Sequence, residues 1–277
     1  MEIDPQTVAG RAGLAEILAD PLRALAAFDY DGTIAPIVAD PTQAVPDPDA
    51  LESLVGISQI IGQVAIITGR PAAAAVSLAG LDGIPGLEHL VVLGHYGVER
   101  WNAATGQVTS APPPAGLDDV TTRLPSLLES LGVADATIEN KGLSVAVHTR
   151  RMPDPAGALE LLREPLAGLA AQHGLVAEPG RMVIELRSGQ MHKGVALRGL
   201  VDEFEARSVV YTGDDLGDLA AFDSVDAIRA EGGAGLLVCS GSAEVIELAE
   251  RADVVVDGPA GVSRFVRSLV TAMTTPR

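Results

Sequence analysis

The sequence predicts an α/β protein, a doubly wound parallel sheet whose chain is interrupted by a small inserted α+β unit. Three observations carry this. Short apolar runs recur, each leaving into polar or glycine-rich residues, with helical periodicity between them. Near Trp101 the texture changes to alternating strands and amphipathic helices. From Lys193 the first texture returns. The expected division is a core of 1–103 with 190–277 and an insert of 104–189.

The elements follow in order. Residues 9–18 show helical spacing, stopped by Asp20-Pro21. The run Leu25-Ala26-Ala27-Phe28 predicts a buried strand. After a loop over 38–48, Asp49 caps a helix reaching about 61. Strands over 64–67 and 90–93 flank a helix over 72–79. A turn around Thr105-Gly106 and the run Pro112-Pro113-Pro114 break the pattern. The insert then reads as a helix over 117–131, a half-exposed antiparallel strand within 137–149, a helix over 155–173 and a strand over 181–186. A helix over 194–203, strands over 208–212, 236–239 and 254–256, and a helix over 261–273 complete the chain.

Composition narrows the function. Lys and Arg total 19 against 37 Asp and Glu in 277 residues, a formal charge of −18 that repels nucleic acid and anionic membranes. Aromatic residues make up 3 %, so Ala, Val, Leu and Ile must fill the core. The single cysteine, Cys239, lies in an apolar run and reads as a buried thiol. No signal-like segment or membrane-length apolar run is evident, so a cytoplasmic location is expected.

The chemistry concentrates where strands end. Asp29 and Asp31, at i and i+2, leave the first strand on one side, and Gly32 opens the following turn so that backbone N–H groups can meet a phosphate. Two carboxylates so close favour a hard divalent cation such as Mg2+, one of them attacking as nucleophile while the other serves as acid and base. Thr68 ends the second strand with a hydroxyl, and Lys193 opens a helix where its charge and the helix dipole favour an anion. Asp214, Asp215 and Asp218 follow a later strand as oxygen ligands for the cation. Singly, each feature is an ordinary turn or solvated helix start. Their order along the chain points to catalysis.

Asp29-Tyr30-Asp31-Gly32-Thr33, Thr68, Lys193 and Gly213-Asp214-Asp215 resemble the motifs of the haloacid dehalogenase-like phosphatase superfamily. That resemblance implies a Rossmannoid core, an aspartyl-phosphate at Asp29, and Asp31 as the acid and base. Thr68 and Lys193 would then hold the phosphoryl group, with Mg2+ on Asp29, the Asp31 carbonyl and Asp214. Ile67-Thr68-Gly69-Arg70, Gly94-His95-Tyr96-Gly97-Val98-Glu99, Glu139-Asn140-Lys141, His148-Thr149-Arg150 and Glu185 are similar to segments of the trehalose-6-phosphate phosphatase family. The implied substrate contacts are Gly32, Thr33, Gly69, Arg70, His95, Glu139, Lys141, His148, Arg150, Arg181 and Glu185. Departures stand at His95-Tyr96, at Arg181 where Lys is usual, at Gly217 where Thr is usual, and at Leu219 where an acidic residue often follows.

The expectation is a Mg2+-dependent phosphatase of trehalose 6-phosphate. Another sugar phosphate, such as sucrose phosphate, or a non-catalytic sugar-phosphate-sensing subunit would keep the same fold. A sugar phosphate is the expected partner, with room for association with a trehalose-phosphate synthase.

Overall fold

The computed structural model describes residues 3–241 and 246–275, and the chain divides into two compact units, 1–110 with 192–277 and 111–191. In the first unit the elements run α1 (Val8–Ala19), β1 (Ala24–Phe28), α2 (Pro48–Ser58), β2 (Gln63–Ile67), α3 (Ala72–Ala79), β3 (Val91–Gly94), β4 (Glu99–Asn102) and β5 (Gln107–Ser110). The second unit holds α4 (Leu117–Ser130), β6 (Thr137–Asn140), β7 (Val145–His148), α5 (Pro155–Gln172), β8 (Val176–Gly180) and β9 (Val183–Arg187). The chain then returns to the first unit with α6 (Lys193–Glu203), β10 (Ser208–Gly213), α7 (Leu219–Ala230), β11 (Ala234–Gly241), α8 (Ile246–Arg251), β12 (Val254–Asp257) and α9 (Gly258–Thr274).

The large sheet is ordered β12-β11-β10-β1-β2-β3-β4-β5. Strands β12 through β3 are parallel, β4 pairs antiparallel with β3, and β5 pairs antiparallel with β4, so that β4 alone runs against the other described strands of this sheet. The hairpin after β3 therefore extends the large sheet instead of opening the insert. The expected boundary at 103/104 moves to Ser110, because β5 pairs with β4 from Gln107 to Ser110.

Alternation along β1 sorts the two faces. Ala24, Ala26 and Phe28 pack with Ile17 of α1, Leu54 and Ile57 of α2, and Phe265 and Val266 of α9. Leu25 and Ala27 pack against Leu197 and Leu200 of α6 and Phe222 and Val225 of α7. Every residue of β1 and β2 is buried, as a central parallel strand between two helical layers requires. The chain leaves β1 toward β2 on one side, while β10 flanks it on the other, so the strand order reverses beside β1 although all three strands are parallel. That crevice, at the carboxyl ends of the strands, is where open α/β sheets bind ligands.

The second unit is an antiparallel sheet ordered β6-β7-β9-β8. Val145, Val147, Ile184 and Leu186 form a core with Leu124 and Leu128 of α4 and Leu162 and Leu166 of α5.

Three local expectations are corrected. Helix α2 is capped by Asp47, whose side chain accepts from Ala50 N, because Pro48 takes the first helical position; the helix stops at Ser58. Residues 137–149 are a two-stranded hairpin, and in place of the expected half-exposed strand, Ala146 of β7 and Ser144 just before it are completely buried. Strand β7 is an inner strand, and Ala146 lies in register between Glu139 and Glu185, whose longer side chains share its face. The strand expected from 181 begins at Val183, since Arg181 and Met182 make a turn with Met182 at φ 60°. Its partner β8 contains Pro179, which an edge strand tolerates. Among the described residues no helix is long and apolar enough to cross a membrane.

Candidate active site

Continuing the β1 alternation by two residues puts Asp29 on the side of Leu25 and Ala27, facing α6 and α7. Helix α6 starts at Lys193, capped by the His192 ring, and sends the lysine to that carboxylate. Lys193 Nζ lies 2.8 Å from Asp29 Oδ1 and 2.8 Å from Asp218 Oδ1, with all three side chains nearly sealed from solvent. Burial alone would lower the lysine's pKa, but Asp218 and Asp29 outweigh it and lift the ammonium well above its usual range. Burial raises Asp29 well above the ordinary carboxylate range, against the opposing charge of Lys193.

Asp214 follows β10 and its carboxylate stands against Gly32. A Cβ on Gly32 would fall 1.9 Å from Asp214 Oδ2, and the φ of 74° there already favours glycine. Ser240 Oγ donates to the Gly32 carbonyl at 2.6 Å and fixes the turn from β11. Asp29, Asp214 and Asp218 place carboxylate oxygens within 4.8 Å of one another. Burial, then Asp218 and Asp215, push Asp214 up to about 7. Asp214 Oδ1 is buried and accepts no hydrogen bond among the described residues. An orphaned buried carboxylate oxygen in an acidic cluster fits a hard cation.

Asp218 does not fit the ligand role expected for it. Its Oδ1 accepts from Lys193 and from Tyr211 OH at 2.6 Å, and its Oδ2 accepts from the backbone N of Asp214 and Asp215 at 2.9 and 3.1 Å. Although burial would raise its pKa, the lysine's charge and these bonds hold it below the usual value. With both oxygens occupied, Asp218 is a brace beneath the site. A side chain on Gly213 would collide with it at 2.2 Å. Asp215 also falls outside the cluster: it is exposed, and its Oδ1 caps Gly217 N at 2.9 Å.

On the other side of β1, Thr68 follows β2 directly and is almost fully buried, its Oγ1 accepting from Arg70 N at 3.1 Å. Asp31 is gripped by Arg70, with Nε to Oδ2 at 2.7 Å and Nη2 to Oδ1 at 2.6 Å. Thr33 is completely buried, and its hydroxyl has no partner among the described residues. His95 is also sealed, with Nε2 3.8 Å from Glu99 Oε1, so its ring is not presented to a ligand as expected. Glu99 in turn accepts from Ala72 N at the start of α3. The neighbouring Tyr96 is half-buried, and its hydroxyl would meet a Cβ on Gly69 at 2.7 Å. His95 and Tyr96 both adopt left-handed φ, 46° and 57°, a costly pair that hydrogen bonds to the Thr68-Gly69-Arg70 turn hold in place.

In the second unit, the register sets Glu139, Ala146, Glu185 and Glu178 in a row across one sheet face. On that face Lys141 Nζ meets Glu185 Oε1 at 3.3 Å, Ser144 Oγ donates to the same oxygen, and His148 pairs with Glu139 at 2.7 Å. Arg150 and Arg181 are exposed in turns outside these pairs.

The family model for trehalose-phosphatase matches residues 27–249, most of both units. The chain belongs to the trehalose-phosphatase family. It is 28 % identical over 220 residues to a trehalose-6-phosphate phosphatase of Escherichia coli, covering 78 % of each chain. It is 30 % identical over 259 residues to a trehalose-phosphate phosphatase of Mycobacterium marinum, covering 90 % of this chain and 62 % of that longer one. The solved structure of an Aspergillus fumigatus trehalose-6-phosphate phosphatase shares the fold, with TM-score 0.71 at 22 % identity, across 97 % of this chain and all of the other. A haloacid dehalogenase-like hydrolase from Bacteroides thetaiotaomicron has the same fold at TM-score 0.65 and 16 % identity.

Sequence reasoning missed three residues that build this family member's site. Tyr211 lies two positions before Gly213 on the same strand face, a period-2 signal that was available. Tyr30 and Ser240 gave none, since both act through contacts made only by the folded chain.

Proposed function

We propose that the chain hydrolyses trehalose 6-phosphate to trehalose and phosphate through an aspartyl-phosphate on Asp29. The observation that carries this is the buried pair of Lys193 Nζ and Asp29 Oδ1 at 2.8 Å beside the Asp29, Asp214 and Asp218 cluster. The charge of Lys193 favours the ionised form of Asp29 against burial and the neighbouring carboxylates, and so favours the nucleophilic oxygen that meets a phosphate dianion.

Asp29 and Asp214 are the carboxylates suited to hold Mg2+, with the Asp31 carbonyl as the third protein oxygen. When bound, the cation neutralises phosphoryl oxygens and orients the phosphorus. Asp29 attacks phosphorus while Asp31 gives a proton to the departing sugar oxygen. Asp31 then takes a proton from the water that opens the acyl phosphate. Lys193 and the Thr68 hydroxyl offset charge on the phosphoryl oxygens. Glu139, Lys141 and Glu185 form the polar face that recognises sugar hydroxyls.

The test is phosphate release across a panel of sugar phosphates, with Mg2+ and with chelator. Chelator-sensitive preference for trehalose 6-phosphate supports the proposal, and Glu139→Ala with Lys141→Ala should erase the preference. Equal turnover of sucrose phosphate and hexose phosphates would contradict the substrate assignment while keeping the Asp29 chemistry.

A further inference from the structure

Arg70, expected to meet substrate, spends its guanidinium on the protein. Nε and Nη2 form a fork on Asp31 at 2.7 and 2.6 Å, and Nη1 donates to the Pro41 carbonyl at 2.8 Å. The guanidinium carbon stands 5.2 Å from the centre of the Tyr30 ring, which is fully buried and tied by its hydroxyl to the Ala44 carbonyl at 3.0 Å. The Arg70 backbone is pinned as well, its N–H to Thr68 Oγ1 and its carbonyl to His95 N at 2.9 Å. A two-point fork fixes both the position and the plane of a carboxylate, which a lysine's single ammonium does not. One lone pair on each Asp31 oxygen serves the fork, leaving the others for a reacting proton.

We infer that Arg70 is a positioning residue for the acid–base step, its fork setting the orientation from which Asp31 meets the leaving oxygen. The inference rests on the proposed function, in which Asp31 carries that proton. As the Asp29 oxygen–phosphorus bond forms, the phosphorus–sugar oxygen bond breaks. The electron pair stays on the sugar oxygen, which takes the proton from Asp31. A sugar alkoxide leaves poorly without that proton, whereas nitrophenolate leaves unaided.

The experiment compares kcat/KM of wild type, Arg70→Ala, Arg70→Lys and Asp31→Asn on trehalose 6-phosphate and on p-nitrophenyl phosphate at saturating Mg2+. Arg70→Ala should lose about 100-fold on the sugar ester and less than about threefold on the aryl ester. Arg70→Lys, which keeps the charge but not the fork, should show the same selective loss, and it decides the matter if Arg70→Ala fails to fold. In an Asp29→Asn background, affinity for trehalose 6-phosphate should be the same with and without Arg70. Equal losses on both esters, or weaker sugar-phosphate binding without Arg70, would overturn the inference. Wild-type turnover of the sugar ester by Asp31→Asn would instead refute the acid–base reading itself, whatever Arg70 does.

Discussion

Lys193 Nζ and Asp29 Oδ1 lie 2.8 Å apart with both side chains almost completely buried, and Asp218 closes on the same ammonium from the other side. One cation thus balances two carboxylates in a place with little water. Lys193→Met keeps the volume and leaves both carboxylates without a cation. Breaking a buried pair in this way should cost ~3 kcal/mol in chemical denaturation. Turnover should fall to background at the same time, and near wild-type activity in this variant would remove Lys193 from the mechanism.

Asp214 and Asp218 should separate as ligand and brace. Asp214→Asn should abolish the rise in melting temperature that Mg2+ gives. Asp218→Asn should keep that rise but lower stability by about 2 kcal/mol, since it disturbs bonds to Lys193, Tyr211 and two backbone N–H groups. Thermal melts with and without Mg2+ check both, and the opposite pattern would make Asp218 the ligand.

Stability and cation binding should respond to pH in opposite senses. Asp214 sits at about 7 against its ordinary 3.8, raised first by burial and then by Asp218 and Asp215. A carboxyl raised on folding favours the fold while protonated. Its contribution is whole below about pH 4 and is lost as pH climbs through about 7. Chelated protein should therefore weaken over that window. Mg2+ affinity should rise over it, because the cation replaces a proton. Calorimetric titration at pH 5.5 and 8 tests this, and equal affinity at the two would contradict it.

Gly32→Ala should damage the site more than its size suggests. The new methyl carbon would fall 1.9 Å from Asp214 Oδ2, at a backbone φ of 74°. The strain alone is of order 1 kcal/mol, but displacement of Asp214 should abolish the Mg2+-dependent melting shift. A retained shift would show that the turn yields without moving the carboxylate.

The large sheet was legible because its inner strands are apolar runs flanked by helical spacing, and local pattern settles such elements. Strand β8 was not, since Pro179 and its neighbours look like a loop until β9 supplies a partner. The hairpin β4–β5 was misplaced for a related reason: its polar outer strand resembles an insert, and only pairing with β3 assigns it to the large sheet. Asp29, Lys193 and Asp214 announced themselves at strand and helix ends. The role of Asp218 could not be read that way. An aspartate in such a loop looks like a ligand until Tyr211, 7 residues earlier, and Lys193, 25 residues earlier, fold against it.

The most direct test is to trap the enzyme during turnover. Acid quench within milliseconds of mixing with trehalose 6-phosphate and Mg2+, followed by peptide mapping by mass spectrometry, should place one acid-stable, hydroxylamine-sensitive phosphoryl group on Asp29. Asp29→Asn should show none. A phosphoryl group on Asp31 or Asp214, or full turnover by Asp29→Asn, would contradict the account.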